Sequence, residues 1–195
     1  LTTSVARIAA TKPLGELPYR IAYSGSAFRN DETFSNDRRR EFSQAGIELI
    51  GNGGTDADAE VIEIAIEALL KFGVKDFQID MGHADYYKGL AEIAGLDPIV
   101  SDKLRANIND KDFVAIEGIL DGIDIDEKLK EVFMELPKMF GGIETAVAAA
   151  KNPIIGEKSR AALENLISVY EILKGKGLDK YISTDLGMVP NLDYY

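Results

Sequence analysis

The chain has no cysteine, no tryptophan and a single histidine among 195 residues. Without Cys there is no disulfide framework, no thiolate metal site and no thiol nucleophile. One imidazole excludes a multi-histidine metal centre, so carboxylates are the only metal ligands left open, and neither a metal nor another cofactor is expected. Long apolar runs are missing too, Ala146-Val147-Ala148-Ala149-Ala150 being typical. That excludes a membrane span and a secretory segment, and makes the cytoplasm the simplest compartment. The chain opens on Leu1 rather than on methionine and stops at Tyr195 on what reads as a strand, so it is expected to be an excised piece of a larger protein.

Positive charge is scarce and unevenly spread. The net charge is −11, yet residues 1–50 hold seven Lys and Arg against six Asp and Glu, which leaves 15 against 27 in the remainder. Six of the eight arginines (Arg7, Arg20, Arg29, Arg38, Arg39, Arg40) lie in the first forty positions. A body this acidic repels a phosphate backbone, so nucleic-acid binding is not expected, whereas a small anion held by the N-terminal arginines is allowed. With 46% hydrophobic residues the chain can build a true core, as one large or two small domains.

Periodicity sets the organisation. Thr3 to Ala10 reads as a helix, and Lys12 to Pro18 as a breaker-rich connection. Tyr19 to Arg29 and Arg38 to Gly51 read as two strands of a long antiparallel hairpin joined by the polar loop Asn30 to Asp37. In the second strand Ala45, Ile47 and Leu49 alternate with Arg38, Arg40, Gln44 and Glu48, so one face is apolar and the other carries both signs of charge. Gly46 falls between Gln44 and Glu48 on the polar face, where it leaves room for a ligand or marks a bulge. After the turn Gly51-Asn52-Gly53-Gly54, Thr55 or Asp56 can cap a helix that Gly73 ends. That turn lacks the Lys-Ser/Thr ending of a P-loop. Asp76 to Met81 reads as a third strand, Tyr86 to about Lys176 as short helices, Tyr181 to Met188 as strand and Val189 onward as another. Strands, a helical block and strands again make an α+β fold: a core over 1–85, a helical insertion over 86–177 and a return to the core sheet over 178–195. His83, Tyr86-Tyr87, the carboxylates Asp121, Asp124, Asp126 and Glu127, and the Lys174-Lys176-Lys180 group read as structural or solvated residues.

Phe28-Arg29-Asn30-Asp31 followed by Arg38 to Gly51 resembles motif 2 of class II aminoacyl-tRNA synthetases in its histidyl form. Leu1 to Arg7 resembles the segment before it, and Leu192-Asp193-Tyr194-Tyr195 the histidine-specific motif further on. The resemblance runs through the whole chain and implies a truncated fragment of a synthetase-like antiparallel sheet flanked by helices. It also implies that Arg29 holds a phosphate and a carboxylate, that Thr2, Gln44, Glu48 and Tyr195 read the amino group and imidazole of histidine, and that Arg38 and Arg40 lie on the nucleotide side.

Two departures matter. The family's catalytic arginine in the last motif is matched by Pro190, which carries no charge, and the motif 2 loop reads Asp31-Glu32-Thr33-Phe34, acidic where the family has a cation. One branch of the family has this profile, the regulatory subunits of ATP phosphoribosyltransferase, and Arg40 to Gly51, Asp58 to Val61 and Asp80 to His83 are similar to it. That resemblance implies no catalytic residue, a short-form catalytic phosphoribosyltransferase as partner, self-dimerisation of the intact protein and histidine as effector. A fragment of a histidyl-tRNA synthetase and a stand-alone amino-acid-binding module are the alternatives.

Overall fold

The computed structural model describes residues 1–12, 14–28 and 40–189. The chain divides within one helix into Leu1–Ala65 and Ile66–Tyr195.

In the first unit, α1 (Thr2–Thr11) precedes a hairpin of β1 (Tyr19–Phe28) and β2 (Glu41–Ile50), and α2 (Thr55–Lys71) follows. The hairpin register is unbroken from Tyr19 opposite Ile50 to Phe28 opposite Glu41, so Gly46 marks no bulge. One face turns toward α1, whose Val5 is buried, and the side chain of Leu1 just ahead of that helix lies 3.9 Å from where a Gly25 Cβ would stand. Along β2 both sides are partly covered: Gln44, Gly46 and Glu48 are half-buried, as are Ile47 and Leu49 of the apolar row, while Ala45 is exposed. On the other side Ala22, Ile47 and Leu49 meet Val61 and Ile64 of α2 around a cavity of about 110 Å³. Arg20 closes it by a fork to Glu60, with Nη2 donating to Oε2 at 2.8 Å.

Three local readings shift. Thr55 and Asp56 are not caps but lie inside α2, because the Gly54 carbonyl accepts from the amides of Ala57 and Asp58 and so supplies the first helical acceptor. The strand expected from Asp76 shrinks to β3 (Ile79–Met81), since only those residues pair with β5 (Ile182–Asp185); Phe77 instead stacks on Tyr181 with centroids 4.8 Å apart. β5 stops short of Met188 because the Asp185 carboxylate accepts from the amides of Gly187 at 2.9 Å and Met188 at 3.1 Å, which turns the chain. Of the final expected strand, residues 190–195 fall outside the described residues.

The second unit interposes helices between its strands: α3 (Ala84–Ile93), α4 (Pro98–Asn109), α5 (Phe113–Asp121), α6 (Glu127–Glu135), the two-residue β4 (Phe140–Gly141), α7 (Glu144–Ala150) and α8 (Gly156–Gly175). β5 is central, parallel to β3 and antiparallel to β4. The breaks fall at turn chemistry: Asp97 caps α4 with Pro98 beginning it, and Asp112 and Asp126 accept amides at the starts of α5 and α6. His83 caps α3 through Nδ1, which accepts from the Asp85 amide at 3.2 Å. The core is α3 against α8, where Tyr86, Leu90, Leu163, Leu166 and Leu173 are buried, with Phe133 edge-on to Tyr87 at 6.0 Å.

Burial pushes the Tyr86 phenol from 10.0 up to about 12. The neutral form is favoured in the fold, so this contribution to stability is present below pH 10 and is lost as pH climbs through 12. Ultraviolet titration is expected to show a phenol ionising about two units late, and Tyr86→Phe to remove it. A wild type whose tyrosines all ionise together near 10 contradicts this burial.

Candidate functional site

Three elements converge on one face of the hairpin. Antiparallel pairing sets Tyr23 opposite Gly46, Gly25 opposite Gln44 and Ile21 opposite Glu48, so all six side-chain positions share the side turned toward α1. Thr2, the first residue of α1, brings Oγ1 to 3.4 Å from the Tyr23 hydroxyl, and Gln44 Nε2 lies 3.5 Å from the same oxygen. The space expected over Gly46 is taken: a Cβ there would stand 3.0 Å from Tyr23 Cε2 and closer still to the hydroxyl end. Glycine is required because the tyrosine ring lies across the strand, not because a ligand needs the room at that point.

Glu48 is half-buried and has no hydrogen bond or ion pair among the described residues. It stands four residues along the same face from Gln44, about 13 Å by strand rise. The face therefore presents a hydroxyl, an amide and, at the far end, a carboxylate with no partner among the described residues. A ligand with a donor group at each end, such as an amino acid with a basic side chain, meets these requirements.

Of the residues picked from the sequence, Thr2 and Gln44 meet at the Tyr23 hydroxyl, Glu48 shares their face of the hairpin farther along β2, and Arg40 is exposed just ahead of β2. Arg29, Arg38, Tyr195 and Pro190 lie outside the described residues. Tyr23 is the residue that sequence reasoning missed. Its signal, an aromatic paired with a glycine across the hairpin, exists only once the register is known.

A second cavity, about 460 Å³ on the β3–β5–β4 sheet, is lined by Gln78, Asp80, Lys111, Ser183 and Asp185. Four of these side chains already have structural tasks. Asp185 turns the end of β5 and sits 3.5 Å from Lys111 Nζ, and Asp80 accepts from the Ser183 hydroxyl. No group of carboxylates and imidazole among the described residues is arranged to hold a metal, and no described helix is long and apolar enough to cross a membrane.

A hairpin with a polar face, followed by a sheet with interposed helices, is the arrangement of a class II synthetase-like fold, which the chain shares with solved structures of that class. The histidyl-tRNA synthetase family model matches residues 1–195, and the chain belongs to that family. A curated relative from Acetivibrio thermocellus, named ATP phosphoribosyltransferase regulatory subunit, is 44% identical over all of this chain and 46% of its own length. The crystal structure of an ATP phosphoribosyltransferase regulatory subunit/histidyl-tRNA synthetase from Bacillus halodurans matches with TM-score 0.87 and 29% identity, covering 100% of this chain and 50% of that one. The ATP phosphoribosyl transferase HisG:HisZ complex from Thermotoga maritima shares the fold, at TM-score 0.69 and 17% identity over 100% of this chain and 65% of that one. The chain spans about half the length of the curated relatives it matches.

Proposed function

We propose that this chain is the synthetase-like portion of a non-catalytic regulatory subunit of ATP phosphoribosyltransferase, acting in the first step of histidine biosynthesis and its feedback control. The observation that carries the reading is whole-chain identity of 37–44% to relatives bearing that name. Thr2, Gln44 and Glu48 on one face support a retained amino-acid pocket, to which we assign Arg29 and Tyr195 as further histidine contacts and Arg38 and Arg40 as an anion side. Pro190 in place of the family's catalytic arginine supports the absence of adenylate chemistry, because stabilising a displacement at phosphorus depends on placed positive charge. The partner is a short-form catalytic phosphoribosyltransferase, and the intact subunit self-associates. Residues 86–177 are assigned as the family's insertion; β3 and β5, which flank them, pair in parallel.

Histidine can act as an effector only through different affinities for the active and inhibited states of the assembly. The intact protein is expected to co-purify with the catalytic chain, to confer histidine inhibition on it and to give no signal in histidine-dependent pyrophosphate exchange. The family model favours a second reading, a histidyl-tRNA synthetase fragment. Adenylate formation by the intact protein establishes that reading and overturns the first.

A further inference from the structure

A cavity of about 580 Å³ lies wholly within the second unit. Its walls include Val132 of α6, Met139, Ala149 of α7 and Ile154 just after that helix, and Tyr86 of α3 also borders it. Tyr86 and Tyr87 are consecutive and both buried, at 1% and 2% exposure, but their hydroxyls differ. That of Tyr87 donates to the Ser101 carbonyl at 2.6 Å. That of Tyr86 has no hydrogen bond among the described residues, although its backbone carbonyl accepts from Ser159. A buried phenol ordinarily finds a partner, so an open one calls for a reason. Its oxygen is not sealed inside protein either, since among the described residues Thr184 Oγ1 is the fully enclosed side-chain oxygen that lacks a partner. The open side of Tyr86 therefore belongs to the cavity it borders. Burial keeps the proton on this phenol, which can donate or accept. Around the opening Lys128 and Glu131 are exposed with opposite charges and Glu135 is held by Lys138 at 2.7 Å, so the rim favours neither sign. We propose that this cavity is a ligand site of its own, taking a small neutral ring compound whose one hydrogen-bonding group reaches the Tyr86 hydroxyl. Apolar walls with one placed polar group, at this volume, are the ordinary make-up of a small-molecule pocket. The site shares no residue with the hairpin face and does not rest on the function proposed above.

The test is a ligand-observed NMR titration of the intact protein with p-cresol and with toluene, two probes that differ only by a hydroxyl. The wild type is expected to bind both saturably. Tyr86→Phe keeps the buried ring and removes only its oxygen. It is expected to weaken p-cresol about fivefold, the scale of one hydrogen bond between neutral groups, and to leave toluene unchanged. Ala148 is exposed where it lines the cavity, so Ala148→Phe places a ring in the opening without entering the core. That variant is expected to weaken both probes about tenfold or more. Each variant decides by itself, so loss of folding in one leaves the other as the test. A wild type that binds neither probe saturably overturns the proposal, as do a p-cresol affinity that Tyr86→Phe leaves in place and probe affinities that survive Ala148→Phe. Absent probe binding combined with an Ala148→Phe variant that no longer assembles with a catalytic phosphoribosyltransferase also overturns it, and assigns the cavity to a side chain of the partner.

Discussion

Glu48→Ala in the intact protein is expected to weaken histidine binding by about 30-fold, corresponding to about 2 kcal/mol. Truncating one member of a desolvated, hydrogen-bonded charge pair costs 2–5 kcal/mol, and the low end applies because Glu48 is half-buried rather than fully enclosed. The carboxylate has no partner among the described residues, so its removal breaks no ion pair among them and the melting temperature should stay within a degree or two. In a pocket that reads imidazole, the lost interaction is a charge-assisted bond from the ring N–H. Glu48→Gln should recover part of the affinity, since it keeps an acceptor without the charge. In the assembled phosphoribosyltransferase the inhibition curve should move to higher histidine by the same factor, because linkage makes the effector's coupling depend on its affinity for the inhibited state. An inhibition curve that Glu48→Ala leaves in place excludes this pocket from sensing.

That prediction was reachable from sequence because the alternation in β2 is strict. Glutamine, glycine and glutamate at 44, 46 and 48 share a face as long as Gly46 makes no bulge, and the register is unbroken there. The neighbour that completes the site was not reachable. β1 and β2 are joined by residues 29–40, a connection long enough to allow several registers, so nothing local says that Tyr23 stands opposite Gly46 rather than opposite Gln44. The same limit hid the sheet of the second unit. β3 and β5 are separated by some hundred residues, and a three-residue parallel pairing has no short-range signature. β4 is only two residues long and exists because β5 offers an edge.

The helices were legible for the opposite reason: their ends are written in local chemistry. Gly73 adopts φ 83° after α2, and the Val74 amide returns to the Leu69 carbonyl, a C-terminal motif that glycine at that position announces. Asp97 before Pro98 announces the start of α4 equally clearly. What local chemistry cannot tell is which helical glycine is a packing requirement and which is a weakness. α3 and α5 each carry one, Gly89 and Gly118, and both look alike in sequence.

Gly89→Ala is expected to destabilise the protein by about 2 kcal/mol, where helix propensity alone predicts a gain of about 1. Gly89 is buried where α3 crosses α8, and a Cβ there would stand 2.8 Å from the backbone nitrogen of Ser159 and closer still to its Oγ. Backbone cannot step aside as a flexible side chain can, so the two helices must separate. Separation also stretches the bond that the buried Ser159 hydroxyl donates to the Tyr86 carbonyl at 2.8 Å. Overpacking of about 1–3 kcal/mol and a weakened buried hydrogen bond of similar size together exceed the propensity gain. Gly118→Ala is the matched control: it sits inside α5 with nothing within 4 Å of the added methyl, so propensity acts unopposed and stability should rise by about 1 kcal/mol. Thermal melts of the two variants should move in opposite directions, Gly89→Ala down by roughly 4–8 °C and Gly118→Ala up by roughly 2–4 °C. A rise in both would mean that α3 and α8 are not in backbone contact at Gly89, and that the core of the second unit is arranged differently from the one described.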